Sequence, residues 1–189
     1  RKVWCATSTH STEEIFCGKT HLKLKKKFQN ILTIIIPRHI TRIKKISEEM
    51  SYLNLKTELY SNLENISLDT DILLVDTYGE VSKFLSISKC VFLGGSLIKH
   101  GGQNPIEPSR FGCKIFYGPN VSNFYEIYNF LKSLNIAKEI NNTEQLEELL
   151  TNEFKLDKSN NTEIAKKIDN YGQSILNNVI KEIKIYINR

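Results

Sequence analysis

Phe92-Leu93-Gly94-Gly95-Ser96-Leu97-Ile98-Lys99-His100-Gly101-Gly102-Gln103-Asn104-Pro105-Ile106-Glu107-Pro108 is the stretch on which the fold turns. An apolar strand runs into paired glycines. A second glycine pair follows, and Asn-Pro then opens a helix with a carboxylate in its first turn. Glycine lets backbone N–H groups approach a bound anion with no Cβ in the way. A helix N-terminus adds unpaired donors and partial positive charge. Strand, glycine loop and helix in that order suit a phosphate or a sugar nucleotide. The same residues are also consistent with a plain turn followed by a capped helix.

Outward from that stretch, strands alternate with helices. Val3 to Thr7 reads as a strand, and Thr12 to Phe28 as a helix with Glu13 and Glu14 as ordinary helix-start acids. Ile31 to Ile36 is a continuous β-branched run ending at Pro37, the pattern of a strand buried on both faces. A helix over Thr41 to Met50 and a short strand over Tyr52 to Leu55 follow. Asp71 to Val75 is another buried strand, Val81 to Ser88 a helix, and Cys90 to Leu93 the strand before the glycines. A helix is expected over Asn104 to Phe111, with Asn104 as cap and Pro105 at the first position. Cys113 to Tyr117 is a strand, Ser122 to Leu134 a helix, Ile136 to Ile140 a strand and Thr143 to Leu150 a helix. Lys158-Ser159-Asn160-Asn161 reads as a loop, and Ile164 to Ile187 as a long final helix. The alternation predicts an α/β fold, a Rossmann-like doubly wound parallel sheet with helices on both faces.

Composition narrows the classes. The 189 residues fit one domain with a real core, 40% hydrophobic and 25% charged. No run approaches the ~18 apolar residues of a membrane span. The net charge of +5 favours anionic ligands or an anionic membrane surface without demanding either. Lys23-Leu24-Lys25-Lys26-Lys27 ends a helix, where cations complement the dipole. Aromatics do not interleave with the basic residues, so nucleic acid is not an expected partner. Cys5, Cys17, Cys90 and Cys113 form no CxxC pair, and no metal site is expected. Arg1 to Thr7 reads as a strand already under way, with no initiator Met. The chain is therefore expected to be part of a longer protein.

Ligands in such sheets bind beyond the strand carboxyl ends. Four unusual clusters fall there: Ser8-Thr9-His10, Pro37-Arg38-His39, Asp76-Thr77-Tyr78-Gly79-Glu80, and the glycine-rich loop. One cleft accounts for all four. Arg38 offers a planar, permanently charged fork for phosphate, or is an ordinary surface arginine. Tyr78 could stack on a base or pack on the core. Glu80 could contact a ligand or serve the helix dipole. Glu107 could close a capping box on Asn104 or accept the hydroxyls of a ribose. His39 and His100 lack metal-ligand spacing and read as polar lining.

Together these motifs resemble the C-terminal half of the bacterial 3-deoxy-D-manno-octulosonic acid (Kdo) transferases of lipopolysaccharide synthesis. The matching pieces are Ala6 to His10 with Glu13-Glu14, Pro37-Arg38-His39, Asp76 to Glu80, Phe92 to Leu97, Gly101 to Glu107, Gly118-Pro119-Asn120 and Asn123-Phe124. They occur in family order. Family members commonly carry glycine where Thr12 stands, methionine in place of Tyr78, and histidine in place of Gln103.

The resemblance implies one half of a GT-B glycosyltransferase. Residues 1–189 would be the C-terminal donor-binding domain, and the N-terminal acceptor domain would lie outside this chain. The donor would be CMP-Kdo and the acceptor a lipid A precursor, at the cytoplasmic face of the inner membrane. The isolated fragment would be soluble and inactive. The carried-over CMP contacts are Pro37, Arg38, Tyr78, Gly79, Glu80, Asn104, Pro105, Ile106 and Glu107. Weaker candidates are the amides of Gly94, Gly95, Ser96, Gly101 and Gly102. The catalytic base would sit in the other half, and transfer would be inverting, with neither metal nor cofactor. A UDP-sugar transferase or epimerase of the same architecture, and a non-catalytic nucleotide-binding module, are the alternatives.

Overall fold

The computed structural model describes residues 1–62, 64–156 and 161–187. Seven strands form one sheet: β1 (Lys2–Thr9), β2 (Ile31–Pro37), β3 (Thr57–Leu59), β4 (Ile72–Leu74), β5 (Cys90–Leu93), β6 (Lys114–Tyr117) and β7 (Ala137–Glu139). Their order is β3-β4-β2-β1-β5-β6-β7, and every pairing is parallel. The chain builds outward from β1 on one side, then crosses to β5 on the other. The topological switch point therefore lies between β1 and β5, where a ligand crevice opens beyond the strand ends.

The strands are apolar on both faces because helices cover both. Alternate residues divide into two cores, since successive strand side chains point to opposite faces. Trp4, Ala6, Ile35, Leu74 and Phe92 pack with Cys17 and Leu24 of α1 (Glu13–Lys25), Ile46 and Met50 of α2 (Ile43–Tyr52), and Leu146 and Leu150 of α6 (Thr143–Lys155). Cys5, Ile34, Leu73, Val91 and Ile115 face Phe84 of α3 (Val81–Ile87), Leu131 of α5 (Tyr125–Ser133), and Ile164 and Ile168 of α7 (Asn161–Ile187). The remaining helix, α4 (Ile106–Arg110), follows the glycine-rich loop. Gly18 lets α1 close on α2: a Cβ there would fall 2.8 Å from Leu53 and 2.9 Å from Met50.

Some expected boundaries move. Tyr52 to Leu55 is not a strand. Tyr52 ends α2, Asn54 turns the chain at φ 54°, and the strand begins at Thr57. The helix expected from Asn104 begins at Ile106, because Asn104 spends its Oδ1 accepting the Ile106 N–H at 3.0 Å. A 3-10 turn over Ser122–Phe124 precedes α5. Lys158, Ser159 and Asn160 lie outside the described residues.

All four cysteines are buried free thiols. Burial pushes Cys113 up to about 12 and raises Cys5, Cys17 and Cys90 as well, so they behave as small apolar residues. The basic run is largely committed within the fold. Lys23 pairs with Glu144, Lys25 with Asp71 and Lys27 with Glu147. Among the described residues, no helix is long and apolar enough to cross a membrane.

Candidate functional site

The crevice is built on a knot of three loops. After β5, the Gly94 N–H donates to Thr7 O at 2.9 Å. A Cβ on Gly94 would fall 2.4 Å from Ser8 O, so only glycine permits this approach to β1. The loop after β6 is pinned through Ser96. Its hydroxyl donates to Leu93 O at 2.6 Å and accepts the Gly118 N–H at 2.8 Å. Its carbonyl accepts from Asn120 N at 2.9 Å and Nδ2 at 3.2 Å. Gly102 N–H returns to Gly95 O at 2.9 Å, and Asn123 N–H reaches Gly101 O at 3.1 Å.

At the centre of the knot is Glu13, fully buried. Its Oε2 accepts from His10 N at 2.9 Å and Gly95 N at 2.8 Å. Its Oε1 accepts from Ser96 N at 3.1 Å and Leu97 N at 3.0 Å. Four N–H groups fill the acceptor sites of the carboxylate and offset its burial. This extends one expectation and corrects another. Glu13 stands in the first turn of α1 as expected, but it is more than a helix-start acid, since its carboxylate holds the loop after β5. The Gly94, Gly95 and Ser96 amides are not an open phosphate cradle: Gly94 donates to β1, and Gly95 and Ser96 donate to Glu13. Among the described residues, the amides of Gly101, Gln103 and Asn104 have no protein acceptor.

Glu14 is also fully buried, and it holds the other side of the crevice. It accepts a bidentate pair from Arg42, at 2.7 and 3.1 Å, reaching the turn that follows β2. That turn carries Pro37, Arg38 and His39. Pro37 is buried at the strand end, and the Arg38 N–H donates to Thr9 O at 2.9 Å. The Arg38 side chain is exposed and has no ion-pair or hydrogen-bond partner among the described residues. Between the two acids' loops, Thr12 sits at φ 80°. This left-handed conformation favours glycine, which accounts for the glycine common at that place in the resembling family.

The far rim is formed by the β4–α3 loop and α4. Tyr78 is 67% exposed, so it does not pack on the core. Gly79 turns the chain at φ 86°. Glu80 accepts from Tyr60 Oη at 3.4 Å and lies 3.6 Å from Lys83 Nζ. Glu107 forms no capping box. Its Oε1 accepts the Ser82 hydroxyl at 3.0 Å, linking α4 to α3, and Oε2 has no protein partner among the described residues. Asn104 is exposed and Pro105 buried. Ile106 lines a separate groove of about 840 Å³ with Ile127, Tyr171 and Ile175. With only five residues in α4, the helix dipole expected to serve the site is short.

Three histidines meet where β1, β2 and β5 end. The His10 ring centroid lies 4.4 Å from that of His100 and 6.1 Å from that of His39. Burial, and then the neighbouring His100, hold His10 below the ordinary imidazole value, against the opposing pull of Glu13. Among the described residues, no group of three or more His, Cys, Asp or Glu is arranged to hold a metal ion. A cavity of about 410 Å³ adjoins His100, lined also by Lys99, Gly101, Asn120, Ser122 and Tyr125. Sequence reasoning missed the Glu13 nest, the Glu14–Arg42 pair and the contact between His10 and His100.

No protein-family model matches the chain. It is similar to curated 3-deoxy-D-manno-octulosonic acid transferases. Identity to that of Haemophilus influenzae is 34% over 143 residues, 76% of this chain and 34% of the relative. Identity to that of Rickettsia prowazekii is 31% over 193 residues, 99% of this chain and 41% of the relative. The chain thus spans between about a third and two-fifths of the length of the curated relatives it matches. The crystal structure of the C-terminal CMP-Kdo binding domain of WaaA from Acinetobacter baumannii shares its fold. The TM-score is 0.81 at 24% identity, covering 90% of this chain and 88% of that one.

Proposed function

The chain is a relative of the 3-deoxy-D-manno-octulosonic acid transferases, and from that premise we propose that it is the CMP-Kdo-binding half of a two-domain GT-B glycosyltransferase. The observation that carries the reading is a set of uncommitted groups on segments that follow strand carboxyl ends, after β2, after β4 and in α4 beyond β5. Among the described residues Arg38 has no partner, Tyr78 stands exposed, and Glu107 keeps one oxygen free. These are a phosphate fork, a stacking ring and a ribose acceptor.

In this reading Tyr78 and Pro37 flank cytosine, Gly79 and Glu80 border it, and Glu107 accepts ribose hydroxyls. Asn104 and Pro105 border the phosphate end, while the Ile106 side chain, which lines the separate groove, contributes through its backbone position at the start of α4. Arg38 and the amides of Gln103 and Asn104, which have no protein acceptor among the described residues, meet the phosphate, with the buried Gly101 amide behind them. The second half of the protein supplies the acceptor site and a base. That base takes the proton from a hydroxyl of a lipid A precursor as the hydroxyl oxygen attacks the anomeric carbon. The bond from that carbon to the phosphate oxygen breaks with inversion, and CMP leaves with the bonding pair. Fixed positive charge and N–H dipoles stabilise the leaving phosphate, so no metal is required for that role. The longer protein would work at the cytoplasmic face of the inner membrane, where such an acceptor resides.

Calorimetric titration with CMP, and with UMP as control, tests the reading. CMP is expected to bind selectively. Losing a charge-assisted contact in Arg38→Ala or Glu107→Ala should weaken it by about tenfold to a hundredfold, matching about 1.5–3 kcal/mol per such bond. Equal binding of UMP would point to a uridine donor. CMP binding unchanged in both variants would remove these residues from the site.

A further inference from the structure

His10 carries an unfilled requirement. Its Nδ1 lies 3.1 Å from Ser8 O. A carbonyl only accepts, so Nδ1 bears the hydrogen and Nε2 of the neutral ring is an acceptor. That Nε2 is buried and has no partner among the described residues. Beside it is His100, an exposed residue whose ring is tilted 45° at 4.4 Å. A methyl group on Gly95 would fall 3.2 Å from His100 Nδ1 and 3.3 Å from His10 Cε1. The Nδ1 of His100 and the Cε1 of His10 therefore border one small space, with the Gln103 Nε2 3.3 Å from the same point. Glycine at φ 67° keeps that space open.

We propose that His10 and His100 form a two-imidazole relay that binds a phosphate-type anion together with a proton. His100, once protonated, donates its Nδ1–H to His10 Nε2, satisfying the buried acceptor, and turns its Nε2–H to the anion. The proton comes from solvent. His10 is a positioning residue, anchored behind by Ser8 O, and His100 is the contact residue. This rests on the donor-site reading for the identity of the anion, the leaving phosphate of the nucleotide, and on geometry alone for the relay.

The surroundings explain why proton and anion are coupled. His39 faces His10 from the β2 side, and Glu13 Oε2 lies 3.8 Å from His10 Nδ1. Arg38 precedes His39, and Lys99 precedes His100 and lines the same cavity. Lys99 thus adds fixed positive charge beside His100, while the buried Glu13 carboxylate is already satisfied by four N–H groups. The added proton of the relay is disfavoured until an anion arrives. Asn120 and Ser122 across the cavity add neutral groups able to donate to its oxygens.

The chain has four histidines, each with a ring C–H resonance that reports its own titration. They should be followed by NMR from about pH 5 to 8.5, around the imidazole range, alone, with CMP, and with inorganic sulfate, whose charge is constant there. Both anions are expected to raise the His10 and His100 midpoints together by about one unit or more, as an opposite charge does. The His21 midpoint, inside the fold, should not move. Anion affinity should fall about tenfold per pH unit above the free midpoint, as one linked proton requires. That slope should vanish in His100→Gln and shrink in His10→Gln, with thermal unfolding confirming that both variants fold. CMP binding that leaves both midpoints in place overturns the relay and spares the donor reading. Sulfate moving both midpoints while CMP fails to bind upholds the relay and overturns the donor reading. Neither anion moving them overturns the relay.

Discussion

Replacing Glu13 by glutamine tests the centre of the crevice. The substitution keeps the side-chain length and one oxygen, and puts an NH2 group where the other oxygen stood. Whichever way the amide turns, two donors face a donor: His10 and Gly95 on one side, or Ser96 and Leu97 on the other. A buried donor left unsatisfied costs about 1–3 kcal/mol, and the two surviving bonds lose their charge assistance. The sum is about 3–5 kcal/mol, against a total stability of about 5–15 kcal/mol for a domain. Glu13→Gln should therefore still fold, with Tm lower by about 8–15 °C for a chain of this size. Urea unfolding gives the free-energy change, and hydrogen exchange locates it, since the Gly95, Ser96 and Leu97 amides should lose protection before the central strands do. A variant within about 0.5 kcal/mol of the parent, with those amides still protected, would refute the claim that this carboxylate holds the loop.

Three further outcomes are expected. Thr12→Gly should stabilise the chain by about 0.5–1 kcal/mol in urea unfolding, because it removes a β-branched residue from φ 80° and loses no capping bond. The His21 Nε2–H donates to Asp71 Oδ1 at 3.2 Å, and in the neutral ring Nδ1 accepts the Thr33 hydroxyl at 2.8 Å, inside the fold. Burial holds it below its ordinary value although Asp71 pulls the other way. The unfolded chain therefore binds that proton more readily, and stability present above about pH 6.5 should be lost as pH falls, by up to about 1.4 kcal/mol per unit. His21→Gln should flatten that part of the stability–pH curve. Arg42→Met leaves Glu14 buried and unpaired and should cost about 3 kcal/mol, the lower end for such pairs because Arg42 is partly exposed. Adding Glu14→Gln should recover part of that loss in a double-mutant cycle.

The sheet was legible because parallel strands covered on both faces leave unbroken apolar runs, as Ile31 to Ile36 does. The edge element was not, because Tyr52 to Leu55 is too short for period to separate strand from helix end, and Asn54 turned the chain there. The glycine loop was legible as a place of close approach, but what approaches Gly94 is the backbone of Ser8. Glu13 was placed correctly in the first turn of α1, where a local rule explained it fully. Its loop partners stand 82 to 84 positions away, a distance that no local pattern encodes. The strand-end rule located Tyr78 and Arg38 at the carboxyl rim of the sheet, because it depends on topology, but the exposure of Tyr78, left open between stacking and core packing, is a tertiary fact no local pattern carries.

Glu13 and Glu14 are neighbours in sequence, so they leave α1 about 100° apart and reach opposite sides of the switch point. One binds the loop after β5 and the other the turn after β2. A single helical turn therefore sets the spacing between the two walls before any ligand enters, which lowers the ordering cost of binding. Arg38, Tyr78 and the free oxygen of Glu107 lie outside that latch. The two groups of residues should consequently separate in experiment. Substitutions in the latch should lower stability and ligand affinity together, because they move the walls. Substitutions of Arg38 and Tyr78 should lower affinity alone, whereas Glu107→Ala should also lose the single exposed bond from Ser82, a cost of about 0.5–1.5 kcal/mol. A rim variant that also lost several kcal/mol of stability would mean that its side chain has a structural partner, and would remove it from the ligand-binding set.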